Sequence, residues 1–112
     1  MAGCIFCKVV AGEIPATIVK RQDDLLAFKD INPQAPTHLL VIPTEHIPSL
    51  NEANDRELLG AMLAFARDLA REAGIAARGY RVVFNTNADG GQTVAHLHLH
   101  LLGGRAMQWP PG

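Results

Sequence analysis

Three histidines stand at alternate positions in the run His96-Leu97-His98-Leu99-His100-Leu101-Leu102. In an extended strand successive side chains point to opposite faces. The three imidazoles would then share one face, while Leu97, Leu99 and Leu101 would enter a core from the other. Such a row suits two chemistries. One is metal chelation. The other is phosphoryl chemistry, in which a neutral imidazole attacks phosphorus and neighbouring imidazoles donate hydrogen bonds to its oxygens. An imidazole titrates near pH 6.5, so both of its forms are available around neutrality. The flanks favour phosphate. Gly90-Gly91 leaves backbone N–H groups unobstructed, and Thr93 adds a hydroxyl donor. Asn85 ends a neighbouring strand, from which its amide can reach the same space.

A second group of chemically able residues is Cys4 and Cys7, spaced C-x-x-C. A thioredoxin-type dithiol wants a preceding strand, for which the residues before Cys4 leave no room. A structural disulfide is not expected in a reducing compartment. The pair is therefore half a metal site, or two ordinary small residues. A closed tetrahedral zinc site needs four ligands, and His46 and His96 are the spare candidates for the other two.

The elements that must position these groups follow from apolar periodicity. Ile5–Val10 fits a short helical turn ending at Gly12. Ile18–Arg21 and Leu25–Lys29 read as two strands around the polar turn Gln22-Asp23-Asp24. A loop with two prolines follows from Asp30 to Pro36, and His38–Ile42 is a strongly apolar strand stopped by Pro43. The clearest helix runs from about Asp55 to Ala73. Asn54 is placed to cap it, with Glu57 at the capping-box position and Gly74 just past its end. Leu58, Met62, Phe65, Leu69 and Ala73 make its apolar stripe. Tyr80–Phe84 and His96–Leu102 read as the last strands, before an irregular tail from Gly103 to Gly112. About five strands, joined mostly by short turns, with one long helix and a short N-terminal one, imply an α+β antiparallel sheet in one domain over residues 1–112.

Composition narrows the function. Of the 112 residues, 48% are apolar and 19% charged, an ordinary globular balance, and the formal net charge is −1. This is not the basic footprint of a protein that binds long nucleic acid. A negatively charged ligand must be held by local groups. No stretch approaches the roughly 20 apolar residues of a membrane span. Lys8, Glu13, Lys20 and Arg21 interrupt any apolar leader near the N-terminus, so a cytoplasmic location is expected.

The run His96–Leu102 matches the signature His-φ-His-φ-His-φ-φ, with φ an apolar residue. On this motif the chain resembles the histidine triad (HIT) family, in its Hint branch of purine nucleoside phosphoramidases. The likeness extends along nearly the whole chain, through Ile5-Phe6, Glu13 to Pro15, Phe28 to His38, Val41 to Pro43, Gly79 to Arg81, Asp89 to Gln92, Gly103 to Arg105 and the closing Trp109-Pro110-Pro111-Gly112.

The resemblance implies a set of roles. His98 would be the nucleophile, carrying a nucleotidyl-imidazole intermediate. His100 and the Thr93 hydroxyl would contact the α-phosphate, with Asn85 and Gly91 lining the same pocket. The main chain of His96 would orient His98, and His38 would belong to the same cluster. Asp30 would hold the ribose hydroxyls, Ile31 would pack on the base, and Trp109 would help select the leaving group. Thr93 stands where relatives often carry Ser; the hydroxyl survives with an extra methyl. Some members hold a structural zinc on a C-x-x-C pair, a histidine after the Ile-Pro strand and the first triad histidine, here Cys4, Cys7, His46 and His96. That assignment meets a conflict, since strict alternation puts His96 on the His98 face; it requires His96 at the strand's start, where alternation relaxes. The resemblance also implies a homodimer, with tail residues 103–112 reaching the partner's active site, and catalysis on AMP or GMP conjugates that needs no catalytic metal. Three other readings remain open: a nucleotide-binding module with little turnover, a dinucleotide polyphosphate hydrolase, and a metalloenzyme that uses the histidine row as ligands.

Overall fold

The computed structural model describes residues 3–112. Strands β1 (Ile18–Gln22), β2 (Leu25–Lys29), β3 (Thr37–Pro43), β4 (Tyr80–Phe84) and β5 (Leu99–Gly103) form one antiparallel sheet in the order β1-β2-β3-β5-β4. β3 is its centre. Thr37–Pro43 can sit there because both of its faces are apolar, and every residue from His38 to Pro43 is buried. The turn between β1 and β2 is held by Asp23 at φ 53°, a left-handed conformation that Asp tolerates better than most residues.

The two faces of the sheet are covered by different helices. α2 (Arg56–Glu72) lays Met62, Phe65, Ala66, Leu69 and Ala70 on the face that carries Ala27, Val41, Leu99 and Leu101. α1 (Ile5–Val10) covers part of the other face with Phe6 and Val9, against Leu26, Phe28, Leu40 and Ile42. Leu97, Leu99 and Leu101 do enter the α2-side core, as the alternation requires.

Several boundaries differ from the sequence reading. The cap of α2 is Asp55 rather than Asn54. Its Oδ1 accepts from the backbone N–H groups of Glu57 (2.9 Å) and Leu58 (3.2 Å), so the helix starts one residue later and Glu57 falls short of the capping-box position. A 3₁₀ turn at Leu50–Glu52, capped by the Ser49 hydroxyl, lies between β3 and α2. The last strand begins at Leu99, three residues later than the apolar alternation suggests, and runs to Gly103. Leu97 N–H instead donates to Ile47 O at 2.6 Å, which fastens the segment before β5 to the loop after β3.

Candidate active site

Sheet register explains why histidines far apart in sequence meet. Leu40 of β3 pairs with His100 of β5, and His38 pairs with Leu102. Directly paired residues share a face, so His38 and His100 are diagonal neighbours on the side away from α2. His38 Nε2 lies 2.9 Å from His100 Nδ1. His98 precedes the strand and stands beside His100, with ring centroids 5.0 Å apart. Phe6 of α1 meets His98 edge-on at 5.1 Å. His98 is held in place on a strand end by a helix from the other end of the chain.

Hydrogen bonds fix the proton on each ring. The His96 carbonyl lies 2.7 Å from His98 Nδ1 and can only accept, so Nδ1 carries the hydrogen and Nε2 keeps its lone pair. Gln34 N–H donates to His38 Nδ1 at 3.0 Å, which places the His38 proton on Nε2. His38 Nε2–H then donates to His100 Nδ1, leaving His100 with its proton on Nε2. One backbone amide thus sets His100 as a donor and one backbone carbonyl sets His98 as an acceptor. Burial depresses the pKa of His98, opposed by the His96 carbonyl and the Asp30 charge. Burial, then the neighbouring His98 and His38, push His100 down to about 4. Both rings are neutral at neutral pH.

Asp30 faces this pair from the loop after β2. Its Oδ2 lies 3.4 Å from His38 Nε2, and its Oδ1 accepts from Asn32 N–H at 2.8 Å. Asp30, Ile31, Thr93, His98 and His100 line one cavity of about 320 Å³, floored by Phe6, Phe28 and Leu40. Ile31 is 94% exposed, an apolar side chain standing free at the cavity rim. His38 lies behind the wall, bonded to His100. Asn85 follows Phe84, the last residue paired with β5, so it sits across from His98 but does not line this cavity. Gly91 does not line it either: its φ is +78°, and its N–H is engaged with Ala88 O at 3.0 Å. At Gly90 the need is space, since a Cβ there would stand 2.5 Å from Thr86 O. Trp109 is 83% exposed and apart from the cavity.

His96 leaves the row altogether. It lies in a bend before β5, fully buried, where strict alternation no longer applies. Its Nε2–H donates to Pro43 O at 2.9 Å, so Nδ1 has the free lone pair. That nitrogen stands 3.3 Å from Cys4 Sγ and 3.6 Å from Cys7 Sγ, and His46 Nδ1 stands 3.3 Å from Cys7 Sγ. A sulfur and a nitrogen on one tetrahedral zinc are about 3.5 Å apart. The four residues therefore fit a metal, with the Pro43 carbonyl orienting one ligand from behind. Both cysteines are free thiols. Asp30, His38 and His100 also converge. There the Gln34 amide keeps a proton on His38 Nε2, between the would-be ligands, so hydrogen bonding rather than chelation organises that group. With His96 turned to the cysteines and His98 Nδ1 bonded to a carbonyl, the row does not act as one metal-ligand set, contrary to the metalloenzyme alternative.

Several contributors carry no side-chain signal in the sequence. The Gln34 amide, the Pro43 carbonyl and the His96 carbonyl are backbone groups, invisible until the chain is folded. Gln92 is different: its side chain bonds Asn87 N–H, Pro48 O and Val94 O, bracing the loop around Thr93. Its place within Asp89–Gln92 was the only hint.

Known proteins resemble this chain in sequence and in fold. The chain is 50% identical over 105 residues to the purine nucleoside phosphoramidase of Escherichia coli K12, covering 92% of this chain and 88% of that one. The crystal structure of a HIT family hydrolase from Legionella pneumophila superposes with a TM-score of 0.95 at 57% identity, covering 98% of this chain and 100% of that one. A zinc-bound histidine triad family protein from Mycobacterium smegmatis superposes at 0.84 with 32% identity, covering 93% and 76%. The HIT domain matches residues 11–107, a span that holds every histidine of the cluster, and the chain belongs to the HIT domain family.

Proposed function

We propose that this protein hydrolyses purine nucleoside phosphoramidates and related acyl nucleotides through a covalent intermediate on His98. The observation that carries the reading is the opposite protonation of two adjacent rings on one cavity: a lone pair on His98 Nε2 beside an N–H on His100 Nε2. The first is a nucleophile and the second a donor to phosphate oxygens. Family membership and the phosphoramidase name of the Escherichia coli relative support the substrate class.

The residues divide the work. Asp30 receives the ribose hydroxyls and Ile31 packs on the base. His98 Nε2 attacks the α-phosphorus; a P–N bond to His98 forms as the P–N bond to the amine breaks, and the amine departs on taking up a proton. Water then cleaves the nucleotidyl-imidazole, releasing the nucleoside monophosphate and regenerating His98. Splitting the reaction this way is covalent catalysis. His100 and the Thr93 hydroxyl, aimed at the phosphate oxygens, are each worth about 3 kcal/mol by analogy with oxyanion holes. Asn85, Gly91 and Trp109 do not line the cavity of the single chain, and their contribution requires loop adjustment or a second chain. A zinc ion held by Cys4, Cys7, His46 and His96 would be structural, orienting the chain before His98 and taking no part in the reaction. No helix among the described residues is long and apolar enough to cross a membrane.

The test is His98→Ala. Turnover of an adenosine phosphoramidate should fall by roughly three orders of magnitude or more, while AMP still binds. An adenylyl adduct trapped on another residue, or a fully active variant, overturns the mechanism. A wild-type protein that binds AMP without turnover would make it a binding module.

A further inference from the structure

Cys4 is the N-cap of α1, and Cys7 stands in the first turn of the same helix. Both are free, half-buried thiols, so a small oxidant can reach them. Their sulfurs lie within 4.8 Å of each other. Residues three apart on a turn are near enough for side-chain rotation to join two cysteines. The bond would close a very short loop and add little to stability. A partly exposed disulfide of that kind is readily reduced again.

Two connections lead from this pair to His98. The first is His96, whose fully buried ring sets Nδ1 at 3.3 Å from Cys4 Sγ and 3.6 Å from Cys7 Sγ. The carbonyl of the same residue accepts from His98 Nδ1–H at 2.7 Å. The second is Phe6, which lies between the two cysteines in sequence and meets His98 edge-on at 5.1 Å.

We infer that Cys4 and Cys7 are a reversible oxidation site, that a hydroperoxide joins them as a disulfide, and that the disulfide displaces His98 from its working position. The step balances. Two thiols are oxidised as an S–S bond forms, and the O–O bond of hydrogen peroxide breaks. The two thiol hydrogens leave in two molecules of water. Where the four residues hold zinc, the two protons come from solvent and the ion is released, because a disulfide offers no thiolate. His96 Nδ1 then loses its sulfur partners in a buried place, where an unpartnered polar group is costly. Relief of that cost moves the bend that carries the His96 carbonyl. The short α1, tied down at the same end, moves Phe6 with it. The effect on turnover rests on the reading of His98 as the nucleophile; the oxidation and the response of the His98 ring do not.

The experiment treats reduced protein, loaded with cobalt(II) as a spectroscopic probe, with hydrogen peroxide. Mass spectrometry should show the loss of two hydrogens, confined to the peptide with Cys4 and Cys7. The thiolate-to-cobalt absorption should vanish, the imidazole nitrogen resonances of His98 should shift, and adenosine phosphoramidate turnover should fall at least tenfold. Dithiothreitol should restore all four, which it does not do for oxidised methionine. In the Cys4→Ser/Cys7→Ser double variant, the ratio of turnover after peroxide to turnover before it should stay near one. Failure to form the disulfide, or a disulfide that leaves the His98 resonances unchanged, overturns the inference. An equal fall in the double variant overturns it too. A protein that lacks phosphoramidate turnover, yet whose His98 resonances respond reversibly, would remove the hydrolase reading and support the oxidation site.

Discussion

A carbonyl oxygen takes the proton-bearing Nδ1 of His98 and the proton-bearing Nε2 of His96, and this single difference gives the two rings opposite uses. His98 is left with a nucleophilic Nε2, His96 with a metal-binding Nδ1. Asp30 works at the same scale. With one oxygen on Asn32 N–H and the other near His38, it is oriented before any ligand arrives. Losing a charge-assisted hydrogen bond costs about 1.5–3 kcal/mol. Asp30→Asn should therefore weaken ribonucleotides more than 2′-deoxynucleotides in a titration of both; equal losses would remove Asp30 from the ribose. Titration of His100 makes a separate test. Burial first, then the neighbouring His98 and His38, hold it near 4, below the ordinary value of 6.5. Between those values the unfolded chain binds a proton that the folded chain does not, so stability is full above about pH 6.5 and falls as pH drops toward 4. Thermal melts across that range should show a shallower acid loss for His100→Asn than for wild type. Parallel curves would mean that His100 is not held neutral by the fold.

Elements converge on the Cys–His cluster from three directions. Cys4 and Cys7 lie at the start of α1, His46 follows β3, and His96 precedes β5. Cys4 Sγ also caps α1 by accepting from Cys7 N–H at 3.3 Å. A helix of six residues is too short to be stable alone, so it depends on what its end is tied to. A metal at this junction would fix α1, and with it Phe6, against His98. Elemental analysis should find about one zinc per chain. Cys4→Ser should reduce the zinc content and lower Tm by about 5 °C or more, which corresponds to roughly 1 kcal/mol in a domain of this size. Metal-free protein of unchanged Tm would show that the junction holds without it.

At the scale of the whole molecule, apolar residues stay exposed at the sheet edges. β4 is an edge strand, and it exposes Tyr80 and Val82, as α2 exposes Leu63. Exposed apolar edges are usually paired or covered. The tail is anchored close by: Arg81 Nη2–H donates to Gln108 O at 2.8 Å, and Arg105 Nε–H to Gln34 O at 2.9 Å. Such anchoring presents Trp109 outward on a fixed stem. A homodimer, with each tail reaching the partner's cavity, would cover both the edge and the indole across a symmetric interface. Sedimentation at micromolar concentration should give a dimer. Deleting Met107–Gly112 should change the ranking of leaving groups more than it changes AMP affinity. A fully active monomer, or a truncated chain with the ranking unaltered, would refute this assembly.

Local chemistry and apolar period were enough to read five strands, one long helix and the histidine cluster from the sequence. The leucines of the His-Leu alternation go to the core because a pleated strand has a period of two, whatever the rest of the chain does. Met62, Phe65 and Leu69 mark the buried side of α2 for the analogous helical reason. The resemblance to the histidine triad family placed His38 in the histidine cluster and His96 among the would-be zinc ligands with Cys4, Cys7 and His46, whereas the contact of His38 with His100 comes from the fold. What remained for the tertiary structure was decided by groups common to every residue. The carbonyls of His96 and Pro43 and the amide of Gln34 set which nitrogen of each ring is free, and a sequence carries no mark of where a backbone group will point. The shift of the α2 cap from Asn54 to Asp55 and the late start of β5 have the same origin. Two adjacent capping residues are chemically alike, and a strand begins where a partner strand offers hydrogen bonds, not where its alternation begins.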